Sequence, residues 1–266
     1  MVGNFQTMQN TTQLNSKYIS EFRLKGVTVI PKALQQNVVE LLKLELETAI
    51  DEDHQNCPDV FDSGMIHNCM VRGPNMLKLL ELPIMGNYLT ELFSANCIVY
   101  AYQSSSLQPH SGNYGSRMHV DTPRFIENYI TNVGVIFPLN NFTEKNGATY
   151  YLEGSHLSEN MPTEQEFNDN SQRLLANAGD MIIFNARLVH AAGINCTDEA
   201  RHALTINFCR SYMRQRFDFP KLMPSEMIDT LNATGKRFIG MDVRMPASLE
   251  EFYLPEDQRL YKSGQG

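Results

Sequence analysis

Positive charge is scarce in this 266-residue chain, where 22 Lys+Arg stand against 30 Asp+Glu for a formal net charge of −8 with histidine neutral. That balance argues against a polybasic nucleic-acid binder. Long hydrophobic runs are also missing: none approaches the roughly 18 consecutive apolar residues of a membrane helix, so no membrane association is expected. Residues 1–15 are polar and rich in Asn, Gln and Thr, without the basic start and apolar stretch of a signal peptide, and read as a short disordered arm. Cysteine is sparse. Cys57, Cys69, Cys97, Cys196 and Cys209 are odd in number and never spaced as CxxC, which argues against a disulfide framework and against a Cys-rich zinc site. A reducing, cytoplasmic setting fits best, and there the sequons at Asn141 and Asn195 carry no meaning. No GxGxxG or GxxxxGK[ST] run occurs, so nicotinamide and nucleotide-phosphate chemistry lose their usual sequence support.

What is present is ample core material, 42% hydrophobic residues including 14 Phe and 11 Tyr, enough for one large domain. Behind Pro31, the residues Leu34, Val38, Leu41, Leu42 and Ile50 recur at helical spacing and predict a helix of about four turns. A second helical region, 76–93, is interrupted by Pro83, which should end one helix and start the next. The character then changes. Segments 97–103, 132–139, 148–152, 181–185 and 203–209 are short, rich in Val, Ile, Phe, Tyr and Thr, and separated by Gly, Asn, Asp and Pro clusters. Strands following one another without helices between them predict an antiparallel sandwich or barrel rather than a doubly wound parallel sheet. The chain thus divides into a flexible arm (1–15), a mostly helical layer (16–95), a β core (96–210) and a C-terminal extension (211–266). Within these, 158–177 reads as a polar loop, a candidate lid, and the extension holds one short helix near 225–231.

The chemistry concentrates in Arg117, Met118, His119, Val120, Asp121, Thr122 and Pro123. His119 and Asp121 are two apart, so in an extended segment both project from one face and can share one metal ion. A third ligand is best supplied by His190, at the end of the strand that follows the Gly179, Asp180 turn. Two histidines and one carboxylate form a facial triad, the set that leaves open positions on a non-haem Fe(II). The competing reading is that the His-x-Asp tripeptide is structural. Among the other histidines, His54, His67, His110 and His156 look like loop residues, and His202 should face away from Arg201. Arg201, Ala203, Thr205, Asn207 and Cys209 share one face of the last strand, against Leu204, Ile206 and Phe208 on the other. From the first face Arg201 either clamps a carboxylate through a bidentate pair or is an ordinary surface arginine at a strand end.

Taken in order, the motif at 119–123, then Glu144 to Thr149 leading to Glu153, Gly154, Ser155 and His156, then Gly179 to Phe184, His190 and Arg201, resembles the phytanoyl-CoA dioxygenase-like family of Fe(II)- and 2-oxoglutarate-dependent oxygenases. The similarity runs from about Phe22 to Met241, with 26–31 resembling that family's entry strand. The resemblance implies a mainly β protein, with a double-stranded β-helix (jelly-roll, cupin-like) core and N-terminal helices packed outside it. It implies Fe(II) held by His119, Asp121 and His190, O2 and 2-oxoglutarate as co-substrates, and Arg201 on the far carboxylate of 2-oxoglutarate. Thr149 and Gln103 are further candidates beside the co-substrate. Two positions depart from relatives: Ser116 stands where several have Gln, and Ala192 replaces a small hydroxyl residue. Asp121 argues against halogenation, because halogenating relatives lack this carboxylate.

The implied reaction is oxidation, most simply hydroxylation, of an unactivated C–H bond with release of succinate and CO2. Without a dense Lys/Arg cluster for CoA phosphates, a small metabolite is the expected substrate. Its contacts are expected from 104–117, Arg124, Tyr151 and the 158–177 segment. Two other readings use the same residues, a zinc hydrolase with the His/Asp/His set and a non-catalytic β-barrel binding module. The sequence sets no oligomeric state.

Overall fold

The computed structural model describes residues 14–56 and 65–261. Apart from Leu14 and Asn15, the arm expected at 1–15 lies outside the described residues, as does Cys57. Asn15 caps the first helix, α1 (Ser16–Lys25), by accepting from the Lys17 amide. Gly26 ends that helix at φ 83°, a left-handed conformation that a side chain resists. A Cβ there would also lie 2.5 Å from the His156 ring. Strand β1 (Val27–Ile30) follows, then α2 (Gln36–Asn56), α3 (Pro74–Lys78) and α4 (Pro83–Leu92). Pro83 opens α4 within its first turn, as expected, because its missing N–H has no helical partner to lose there. Helix α2 runs about six turns rather than four. Its last turns, Asp51 to Asn56, are polar and face solvent, so apolar periodicity does not register them.

The β core consists of β2 (Ile98–Ser104), β3 (Asn132–Pro138), β4 (Tyr150–Tyr151), β5 (Gln172–Arg173), β6 (Met181–Asn185), β7 (His190–Ala191) and β8 (Ala203–Cys209). A five-stranded antiparallel sheet has the order β1-β6-β3-β8-β2, and a small sheet has the order β5-β4-β7. The two sheets make the double-stranded β-helix, with the helices packed outside the larger one. Alternation along each strand builds two cores. On β6, Met181 and Ile183 join the helices, whereas Ile182 and Phe184 join Val27, Tyr151, Leu174 and Leu188 between the sheets. Gly134 on β3 permits this inner packing, since a Cβ there would meet the Phe184 ring at 2.1 Å.

Several expectations need correction. The 158–177 segment is not a plain loop. It carries α5 (Glu164–Asn170), closed by a reciprocal capping box between Thr163 and Glu166, and then strand β5. The extension holds four short helices among the described residues, α6 (Phe219–Leu222), α7 (Ser225–Asp229), α8 (Ala233–Phe238) and α9 (Leu249–Phe252). Phe219, Ile228, Leu231 and Phe238 from this region join the helix-side core. His54 lies in the last turn of α2. His156 is buried, its ring nitrogen 3.3 Å from the Arg23 carbonyl, because the turn after β4 tucks beneath α1.

Candidate metal and co-substrate site

Backbone pairing brings the three metal-ligand candidates together. His190, on β7, pairs with Tyr151, and His119 joins the same ladder by exchanging both backbone hydrogen bonds with His190, at 2.9 and 3.0 Å. Residues directly opposite in such a pair project to the same side. The two imidazoles accordingly lie with ring centroids 4.3 Å apart. Asp121, two residues beyond His119, projects with them, its Oδ1 3.6 Å from His119 Nε2 and 3.8 Å from His190 Nε2. One ligand atom from each residue lies within 4.8 Å of the others.

Local hydrogen bonds set the protonation of these rings. His119 Nδ1 donates to the Arg117 carbonyl at 2.7 Å and His190 Nδ1 to the Leu188 carbonyl at 2.9 Å. A carbonyl only accepts, so in the neutral rings the proton sits on Nδ1 and the lone pair on Nε2 faces Asp121. Burial, reinforced by the neighbouring His190, lowers the His119 pKa and so favours the neutral form. A carboxylate and two imidazole lone pairs, too widely spaced for strong mutual hydrogen bonds, are the donor set of a divalent first-row metal. These residues fit Fe(II).

The segment carrying Asp121 is itself fixed. The Thr122 amide donates to the Ala186 carbonyl. The buried Arg187 guanidinium donates to the Pro123 carbonyl through Nη1 and to the Ser158 and Glu159 carbonyls through Nη2. Periodicity gave no hint of this role for Arg187.

A cavity of about 560 Å³ opens beside the triad. Its walls include Thr149, Gln103, Asn132, Thr205 and Asn207, with Val27, Ile136, Phe184 and Leu188 as apolar surface. Gln103 and Thr149 thus both reach the cavity. Arg201 does not line it directly. It is 1% exposed and donates to Ser105, which does line the cavity, through both the carbonyl and the hydroxyl. It also donates to the Gly147 carbonyl and stacks 4.3 Å from the Phe142 ring centroid. The surface-arginine reading is therefore wrong, because the strand end lies under the 105–107 and 142–147 segments. Burial lowers the Arg201 pKa only to about 10, so it remains a cation at neutral pH. Its Nε has no hydrogen-bond partner, and no carboxylate among the described residues pairs with it. A buried, unneutralised guanidinium is costly and fits an anionic ligand such as a carboxylate.

Of the expected substrate-contact segments, Ser105, Asn113, Gly115, Arg124 and Tyr151 line the cavity. From 158–177 only Leu174 reaches it, while Glu164, Phe167, Asn168, Ser171 and Arg173 line a second cavity bordered by His119 and Ala192. Arg216, Tyr100 and Met213 also line the first cavity. No sequence pattern singled them out, because two of them lie beyond the last core strand.

A family model described as phytanoyl-CoA dioxygenase (PhyH) matches residues 22–203. An uncharacterized protein of Mycobacterium tuberculosis is 28% identical over 208 residues, covering 76% of each chain. Dioxygenase af480 of Aspergillus fumigatus is 33% identical over 177 residues, which is 65% of this chain and 54% of that protein. Among solved structures, the non-heme alpha ketoglutarate dependent carbocyclase SnoK from nogalamycin biosynthesis superposes with a TM-score of 0.62 at 18% identity. The superposition covers 82% of this chain and 93% of that one, and the likeness is one of fold.

Proposed function

The chain belongs to the phytanoyl-CoA dioxygenase family and is an oxygenase that works with Fe(II), 2-oxoglutarate and O2, and from that premise we propose how its residues divide the work. His119, Asp121 and His190 hold the iron. Arg201 pairs with the far carboxylate of 2-oxoglutarate, with Thr149 and Gln103 beside the co-substrate. The reaction is hydroxylation of an unactivated C–H bond of a small metabolite, and the whole chain acts as one oxygenase domain with 211–266 as its extension. The zinc-hydrolase and binding-module readings give way to the family's chemistry.

The observation that carries this reading is the convergence of the three ligand atoms within 4.8 Å, with both Nδ1 protons tied to backbone carbonyls. When bound, Fe(II) and 2-oxoglutarate supply the oxidising chemistry, in which O2 is consumed and 2-oxoglutarate leaves as succinate and CO2. The protein's own residues prepare the site. The two carbonyl contacts keep both Nε2 lone pairs available without a proton-loss step, and Arg187 holds the backbone after Asp121 so that the carboxylate stays on the triad. Arg201, fixed by Ser105 and Gly147, orients an anionic co-substrate from behind the cavity wall. Val27, Ile136, Phe184 and Leu188 exclude water beside His190, where Phe184 meets the imidazole edge to face at 5.6 Å.

The test is turnover. Protein with Fe(II), 2-oxoglutarate and O2 is expected to form succinate, and His190→Ala is expected to abolish it. Once a substrate is in hand, hydroxylation adds one oxygen atom from 18O-labelled O2, whereas ring closure or desaturation removes two hydrogens. No succinate from wild-type protein contradicts the reading.

A further inference from the structure

The cavity wall carries a positive charge that neither the triad nor Arg201 accounts for. Arg216 lines the cavity from a segment that packs along β2, the edge strand of the large sheet. The Arg216 amide donates to the Tyr100 carbonyl at 2.9 Å, and Gln215 Nε2 donates to the Val99 carbonyl at 2.7 Å. This docking falls where the β2–β8 register shifts between Val99 and Ala101, so that Tyr100 has no partner on β8 and its carbonyl is available to a chain outside the sheet. The side chain is fixed as well. Its Nη1 donates to Gln103 Oε1 at 3.0 Å, and the guanidinium lies 5.6 Å from the Tyr100 ring centroid. Both partners are neutral, and Arg216 forms no ion pair among the described residues. Arg216 is exposed to solvent, so its charge is held at the open side of the cavity with no carboxylate of the described residues to balance it.

The rest of the wall agrees. Asp121 is the only acidic residue among those lining this cavity, and it belongs to the triad, while Arg124 adds a second cationic side chain. In a chain of net charge −8, the cavity is a local exception to the surrounding charge. Tyr100 supplies apolar surface beside Arg216, and Met65 and Met213 add apolar surface to the same cavity. His190 stands on the small sheet with His119 bridged to it, and Arg216 lies beyond the edge of the large sheet, so the metal ligands and Arg216 reach the cavity from different elements.

Resting on the oxygenase reading above, we propose that the substrate is an amphipathic carboxylate, with its anionic group on Arg216, its apolar body against Met65, Tyr100 and Met213, and its oxidised carbon toward the triad. A guanidinium with one neutral partner keeps free N–H donors suited to a two-oxygen anion. The arrangement makes Arg216 a specificity determinant, separate from the co-substrate's arginine.

The test uses protein loaded anaerobically with Fe(II) and saturating 2-oxoglutarate, so that the co-substrate's site is filled. Calorimetric titration compares 2-naphthoate with its neutral counterpart 2-naphthamide. Wild-type protein is expected to bind the carboxylate about tenfold more tightly, the factor of one charge-assisted hydrogen bond. Arg216→Gln should erase that preference with the amide unaffected, and Arg216→Lys should restore part of it. Equal binding of the two probes by wild type, or a preference that survives Arg216→Gln, overturns the proposal. In the same samples the visible Fe(II)–2-oxoglutarate band is titrated with 2-oxoglutarate. A half-saturation that rises with Arg216→Gln would assign Arg216 to the co-substrate and also overturn the proposal. Absence of the band from wild type would instead refute the oxygenase reading.

Discussion

Strand β8 and the two residues before it face two environments. Toward the helices they present His202, Leu204, Ile206 and Phe208, packed against helical elements, and toward the cavity they present Arg201, Ala203, Thr205 and Asn207. The two faces belong to the same strand, with the same backbone hydrogen bonds to β2 and β3. The outer face is apolar and dry apart from His202, and contributes stability. The inner face is small and polar, leaves a cavity, and gives up packing in exchange for room to bind. The difference teaches that a period of two separates stability from chemistry on one element. A substitution should therefore affect one face's property and largely spare the other's.

The sharpest break of that division is at the triad. Asp121→Ala is expected to abolish 2-oxoglutarate-dependent succinate formation while leaving the urea midpoint of the metal-free protein nearly unchanged. A large loss of stability would place Asp121 with the structural residues. On the outer face, Phe208 is fully buried and meets Phe238 edge to face with ring centroids 4.9 Å apart, and Phe208→Ala should cost about 3 to 5 kcal/mol in chemical denaturation. At temperatures where this variant remains folded, its half-saturation for 2-oxoglutarate should match wild type.

His202 tests the outer face through pH. Its ring is buried, bonded to Ser106 Oγ at 2.9 Å, and held at about 4 by burial, with the Lys43 and Arg201 charges adding to the shift. Glu47, 3.8 Å away, does not offset them, because its side chain is 47% exposed to solvent. The folded value lies below the unfolded one of about 6.5, so between these values the unfolded chain takes up a proton that the native state refuses. Stability is fully present above pH 6.5 and falls by about 3 kcal/mol as pH drops to 4. His202→Gln should flatten that part of the stability profile, and an unchanged slope would contradict the assignment. The smallest effect is expected from Thr149→Val on the cavity wall. Loss of one hydroxyl should raise the half-saturation for 2-oxoglutarate about tenfold at constant stability.

What the sequence discloses follows the same division. Strands β6 and β8 begin and end where short runs rich in Ile, Leu and Phe between turn residues place them, because nearly every position of both strands is buried. The two-residue spacing of His119 and Asp121 is legible because an extended backbone puts both side chains on one face. Helix α5 was hidden in a polar stretch, although Thr163 and Glu166 carried the capping-box signature that marks its start. Of the four-to-six-residue helices after Ser211, α7 falls where the sequence places one, and α6, α8 and α9 are too short for periodicity to register. Arg187, Arg216 and the burial of His156 were not legible at all, since each depends on which distant carbonyl or ring the fold brings nearby.

The measurement that bears most directly on the central claim is anaerobic visible absorption after adding Fe(II) and then 2-oxoglutarate to metal-free protein. Wild type is expected to develop the weak charge-transfer band of the Fe(II)–2-oxoglutarate complex. Asp121→Ala should lose it, and Arg201→Ala should need far more 2-oxoglutarate to reach it. Fe(II) binding without the band in wild type, or a band indifferent to both substitutions, would contradict the account.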